Sequence, residues 1–480
     1  MSVIVSLSLS WKMRRNHHDE VMIWNGSDDM AGLRSNRADT YFKGRLLMLF
    51  GNSDDKRFVL GYDLGDKVSQ ISYLASDADM PETLSVLAGA ELYNIPTVLC
   101  KRKDVNQWYY GKEAVRHIED GDATPVYDIL QAAREGKPVK VLDAEYDPIA
   151  LLTLFIKRSL SLLSMELSLD KVEAIMFTTK SLDHRMVQVL NAVTVALELK
   201  VPNIYYQSHE ESFYNYMLYQ PEELMRHCVL ACDYDLDTLA VYQMSLNHNT
   251  TPIVATIDVA TFNDLRLGAE GFPKDAALFH RTCERLDDEF LNIMQKVCSD
   301  KIIATVFLLG DGFKEKWTKR SLEFLCRTRR VFQGNNLFSK GATIAARERL
   351  HPSENAARYV FLGEDKLKSN IGMNVLKCGT ECYHAILDAG VNWFEAQSQM
   401  DIIIDQSGVL DIQVTPLTGK SPKVIQLFLD GLEKRPKGTT RLRLSMAMTA
   451  VNEVEIRVQD LGFGELFPAT GKVWEQTVEL

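Results

Sequence analysis

The sequence predicts two related α/β lobes followed by an antiparallel β-sandwich. Three observations carry that prediction: a strand pair that leads into alternating strands and helices, the return of strand pairs after residue 228, and a change after Glu348 to short alternating strands separated by polar turns.

The first lobe, about residues 58–228, opens on FVLGYDLGDKVSQISYL, Phe58 to Leu74, which reads as a strand, a tight turn and a second strand with Asp63, Gly65 and Asp66 at the bend. A further hairpin is expected in Asn94 to Ala114, with a helix beginning near Lys112. A long helix follows from about Asp147 to Met165. Lys157 and Arg158 break its apolar run, so it reads as an amphipathic helix on a core rather than a membrane span. AIMFTT, Ala174 to Thr179, is a buried strand, and in the next helix Met186, Val189, Leu190, Val193 and Leu197 recur at three and four residues. NIYYQ from Asn203 is a strand, and HEESFYNYMLYQPEEL is a helix. The second lobe, about residues 229–350, opens on a second strand pair in CVLACDYDLDTLAVYQM. Residues 358–480 are assigned to the β domain, the segment up to NIGMNV as a crossover and the strands from NWFEAQ at Asn392 onward.

A chain of 480 residues with 46% hydrophobic and 25% charged content is long enough for two or three domains with proper cores. The net charge of −11 argues against a broad nucleic-acid surface, which needs a basic stripe to displace counterions. The basic clusters at Lys101 to Lys103 and at Arg327, Arg329 and Arg330 are short and read as solvated faces. Eight cysteines scattered in mostly apolar surroundings match reduced thiols and a cytoplasmic location. Neither Cys228 with Cys232 nor Cys378 with Cys382, the latter close to His384, completes a zinc ligand set. The apolar run Val3 to Leu9 precedes Lys12, Arg14 and Arg15, the wrong order for a signal peptide. Residues 1–47 lack periodicity and are expected to form a flexible extension. A natural start at Met48 is the sharper expectation, testable by mass spectrometry of the native N-terminus.

With the segments in this order, the chain resembles the superfamily of actin, sugar kinases and DnaK-type chaperones, whose ATPase domain has a two-lobed, ribonuclease H-like fold. GYDLGDKVSQISYL resembles the phosphate-1 hairpin, CVLACDYDLDTLAVYQM stands at the phosphate-2 position, and ATVFLLGDGFKEKW, Ala304 to Trp317, at the adenosine motif. LFSKGATIAARE, Leu337 to Glu348, is similar to the small-residue helix that closes this fold, and RPKGTTRLRLSMAM with VEIRVQDLGFGELFP to the chaperones' substrate-binding sandwich. The resemblance implies ATP or ADP with Mg2+ as cofactor. It assigns Asp63 and Asp233 to the hydrated metal, Glu210 with them to the catalytic carboxylates, and Gly65, Asp66, Thr238, Gly310 and Gly312 to the nucleotide.

The turns themselves depart from that pattern. Asp235, Leu236 and Asp237 stand where glycines are expected, and a left-handed backbone costs a non-glycine residue roughly 1–2 kcal/mol. Ala240 replaces the turn's second acid, and Asp66 replaces a hydroxyl that faces phosphate. Like charges about 4 Å apart repel by roughly 4 kcal/mol at an effective dielectric near 20. A divalent ion taking Asp66, Asp235 or Asp237 as ligand would reverse the sign.

Plainer readings stand beside these. Asp235 and Asp237 are common turn residues. Glu210 is one acid of several in HEESF, His209 and His184 read as surface or helix-capping residues, and Phe213, Tyr214, Tyr216 and Tyr219 as lobe packing. Three functions follow as expectations: a chaperone-like or scaffolding protein that binds peptide or protein partners without efficient ATP hydrolysis, an Mg2+-dependent ATPase with rebuilt turns, or an actin-like self-assembling protein. No nucleic acid and no membrane are expected among the partners.

Overall fold

The computed structural model describes residues 56–480, apart from 88–89, 104, 166–167, 268–270, 335, 378, 405–407 and 418–420. The expectations for residues 1–47 and for Met48 lie outside the described residues.

The first lobe is built on β1 (Phe58–Leu64), β2 (Val68–Ala75), α1 (Pro148–Leu160), β3 (Val172–Thr179), α2 (His184–Leu197), β4 (Asn203–Ser208) and α3 (His209–Leu218). β1 is antiparallel to β2 and parallel to β3, which is parallel to β4. The parallel step from β3 to β4 needs a crossover, supplied by α2. Asp183 starts that helix by accepting a hydrogen bond from the Met186 amide at 2.8 Å. The apolar stripe of α2 packs with Leu151, Leu152, Phe155 and Ile156 of α1 against Leu60, Tyr62, Ile175 and Phe177. β1 is therefore covered on both faces, as its nearly continuous apolar run requires.

The second lobe repeats the plan with β5 (Cys228–Tyr234), β6 (Leu239–Asn247), β7 (Ile253–Phe262), α4 (Ala276–Val297), β8 (Ile303–Leu309), β9 (Arg330–Gln333) and α5 (Leu337–Leu350). Its sheet runs β9-β8-β5-β6-β7, the counterpart of β4-β3-β1-β2 in the first lobe. The chain then adds β10 (Tyr359–Phe361), parallel to β7, at the edge of this second sheet.

The two helices that link the lobes exchange sides. α3 leaves the first sheet and packs Phe213 and Met217 on the second, against Val229, Ala231 and Phe307. α5 leaves the second sheet and lays Ala342, Ala345 and Ala346 on Val59, Ala174 and Met176 of the first. They cross at Gly341, where a Cβ atom would stand 1.9 Å from the Ser212 carbonyl oxygen. The aromatic residues of α3 do pack: Tyr214 stacks on Phe361 and Tyr216 meets Phe307 edge-on.

The sandwich has one sheet from β11 (Ser369–Lys377), β12 (Thr380–Leu387), β14 (Val409–Pro416) and β15 (Lys423–Phe428), and another from β13 (Gln397–Ile404), β16 (Thr440–Ala450), β17 (Glu453–Asp460) and β18 (Val473–Glu479). Leu442, Leu444 and Met446 face inward with Val454, Ile456, Val458 and Ile412. Two boundaries differ from the sequence reading. Residues 359–361 belong to the second lobe, because their backbone groups pair with β7, and the expected crossover contains β11. NWFEAQ is not a strand: Asn392 to Ala396 form a turn that buries Trp393, and β13 starts at Gln397.

Candidate functional site

The β1–β2 and β5–β6 turns face one another across a cleft of about 780 Å³. Of the residues the resemblance assigned to the site, Asp63, Gly65, Asp66, Asp233 and Gly310 line it, together with His209, Asp235, Leu236 and Asp237. Gly65 is sterically required, since a Cβ atom would lie 2.3 Å from the Val68 carbonyl oxygen. Gly310 has φ +89°, and its missing Cβ leaves room for the Tyr234 carbonyl and the Asp233 carboxylate.

Glu210, Thr238 and Gly312 are not among the lining residues. Gly312 lies under the Tyr234 ring and its carbonyl accepts the Trp317 indole N–H at 2.7 Å, which leaves it in the aromatic packing behind the cleft. Glu210 is partly buried on the side of Asp365 and Glu364: burial raises its carboxyl to about 7, and those two acids add to the rise. The turn that begins α3 instead presents His209 to the cleft, one residue earlier than the sequence comparison suggested. His209 is buried and donates from Nε2 to Asp63 Oδ1 at 2.8 Å, with its ring stacked on Phe338 at 4.0 Å. It is neither a surface residue nor a cap; the cap is Ser208, whose hydroxyl accepts the Glu211 amide.

The Asp233 carboxylate has no hydrogen-bond or ion-pair partner among the described residues, and burial raises it to about 6, with His209 opposing and Asp63 adding. Tyr242 lies close to Asp233, Glu210 and Asp63, and its buried hydroxyl is likewise without a partner among the described residues.

The second turn holds the strongest departure from a phosphate cradle. Such a cradle works by leaving backbone N–H groups free for an anion. Here Asp235 Oδ1 accepts from the Asp237 amide at 3.0 Å, the Thr238 amide at 2.8 Å and the Thr238 hydroxyl at 3.3 Å. The carboxylate thus fills the place an anion would take. Leu236 holds φ +74°, so the left-handed bend survives without its glycine. Across the mouth, Lys67 of the first turn pairs with Asp237 of the second. Lys67 escaped the sequence reading because nothing local marks a partner 170 residues away.

These residues do not fit a nucleotide with Mg2+. The donors of one turn are taken by Asp235, and Lys67 and Asp237 neutralise one another. The Lys67–Asp237 pair is half exposed, so Lys67→Ala is expected to lower stability in urea unfolding by less than about 1 kcal/mol. Among the described residues no group of three or more His, Cys, Asp or Glu side chains is arranged to hold a metal ion. No described helix is long and apolar enough to cross a membrane.

Two family profiles match the chain. The C-terminal profile of a family of unknown function, DUF5716, covers residues 80–364, and a domain of unknown function, DUF8552, covers residues 366–480. A comparison with curated proteins finds no match.

Proposed function

The chain belongs to the DUF5716 family, and from that premise we propose that it is an actin- and DnaK-like two-lobed protein whose cleft has ceased to be a nucleotide cradle and which acts as a chaperone-like or scaffolding binder of peptide or protein partners. Support for the fold comes from the repeated strand order of the two lobes and from the paired helices α3 and α5 that cross at Gly341. One observation carries the loss of nucleotide binding: Asp235 occupies the amides of its own turn. The partner-binding half of the reading rests on the sandwich. Its edge strand β15 exposes Val424 and Phe428, and an open edge can accept an extended chain by strand addition.

Thermal unfolding with and without Mg2+-ATP tests the reading. A ligand that binds only the native state must stabilise it, by about 2.7 kcal/mol at one hundred times its dissociation constant. The expected shift at millimolar ATP is nil, and a rise of several degrees overturns the reading. The triple variant D235G/L236G/D237G, which frees the turn amides and restores the glycines, is expected to gain a shift that the natural chain lacks.

A further inference from the structure

The boundary between the two matched regions, residues 364 to 366, is the point where the sandwich meets the two-lobed body. Asp365 and Lys366 are both buried there, at 6% and 3% exposure. Lys366 Nζ lies 2.7 Å from Glu211 Oε1, in the first turn of α3, and donates to Asn392 Oδ1 at 2.6 Å. Asn392 donates to Glu395 at 3.1 Å, and Arg349 of α5 holds both oxygens of Glu395 at 2.9 and 3.0 Å. In this chain each of the two cations already has a carboxylate.

Asp365 is left over. Both of its oxygens are buried without a hydrogen-bond partner among the described residues, and so is Oε2 of Glu211. The groups that face it are Glu364 and Lys366 from its own segment and Glu210 and Glu211 from α3. Around Glu211 stand Arg349 of α5 and Tyr214 of α3. A third carboxylate with no cation to spare is costly to ionise in such a place. One proton on Asp365 would remove that charge and turn one of its oxygens into a donor.

We propose that the junction is a proton-operated clamp: with Asp365 protonated the sandwich is held against the start of α3, and with Asp365 ionised the contact weakens. Burial lifts the Asp365 carboxyl from 3.8 to about 6; Lys366 opposes the rise, and Glu211 and Glu364 add to it. A carboxyl raised in the docked state keeps its proton more tightly there than when undocked. Docking is therefore strongest below the ordinary carboxylate range and is lost as pH rises through about 6. Two pKa units correspond to a change on the order of 100-fold in the docking equilibrium.

Hydrogen exchange on the full chain tests this through two junction amides: Leu367, bonded to the Val391 carbonyl, and Trp393, bonded to the Asp365 carbonyl. Protection factors, corrected for intrinsic exchange, are expected to be on the order of 10-fold higher at pH 5 than at pH 8, the rest of the change falling below pH 5, while the core amides of Leu442 and Leu444 stay level between the two. Because Glu210 beside it is also raised, to about 7, the variants are compared in a Glu210→Gln background: there Asp365→Asn is expected to give flat, high protection at both values, and Glu364→Gln, which removes a charge that adds to the rise, to keep the pH dependence with its midpoint slightly lower. Equal junction protection at both pH values in the natural chain overturns the proposal, and indicates that bound water answers the Asp365 oxygens. This comparison decides alone if the Asn variant fails to fold. An Asn variant that retains the full pH dependence overturns it equally.

Discussion

Gly341→Ala is expected to lower the unfolding free energy by about 3 kcal/mol in urea denaturation, although alanine is the better helix former by about 1 kcal/mol. The sign follows from the crossing of α3 and α5. The added Cβ would lie 1.9 Å from the Ser212 carbonyl oxygen and 2.7 Å from its carbon, both backbone atoms that cannot rotate away. Each helix also covers the other lobe's sheet, so a shift that relieves the clash would disturb Phe213 and Met217 on one side and Ala342 and Ala345 on the other. Gly334→Ala is the control: no atom comes within 4 Å of its built Cβ, and stability should change little. A Gly341 variant as stable as the natural chain would remove the crossing from the account of the fold.

The second large effect lies in the sandwich. Arg435 and Asp460 form a two-bond pair at 2.9 and 2.8 Å, and both side chains are almost wholly inaccessible. Asp460 also accepts from the Gly462 amide and from the amide and hydroxyl of Thr470. Asp460→Ala would leave the buried guanidinium only the exposed Glu433 carboxylate and the Pro468 carbonyl, and the expected loss is about 3 kcal/mol. Arg435→Met should cost less than this, since the three other donors to Asp460 remain. Burial alone would raise the Asp460 carboxyl, but Arg435, Thr470 and the two amides together hold it well below the ordinary carboxylate range. Its contribution to stability is present above the unfolded value of 3.8 and is lost as pH falls below it. Urea titrations of the natural chain and the Asp460 variant should therefore converge in strong acid.

Local pattern was enough to find most of the two lobes. The period of Met186, Val189, Leu190 and Val193 marked α2, and the two hairpins with their polar turns were readable as such. The errors came where tertiary contacts decide. NWFEAQ looks strand-like because Trp393 and Phe394 are large and apolar, yet those rings plug the junction against His184 and Tyr206. β11 was passed over because Gly372 and Asn370 interrupt its alternation; Gly372 is needed where the His384 carbonyl approaches within 2.2 Å of a built Cβ. In the cleft, the resemblance pointed to Asp63, Asp233 and Gly310, and all three line it. Choosing Glu210 over His209 depended on a rotation of about 100° per residue at the start of a helix, which the sequence around HEESF does not fix. Lys67 and Asp237 could be identified as partners only once both turns were placed in space.

The placement of the sandwich bears on the cleft it does not touch. The strand that leads into it, β10 of the second lobe, is paired with β7, while Lys366, Asn392 and Phe394 contact α3 and β4, which continue from the first. The third domain in this way spans both lobes, and lifting it from α3 and β4 would remove one of the ties between them.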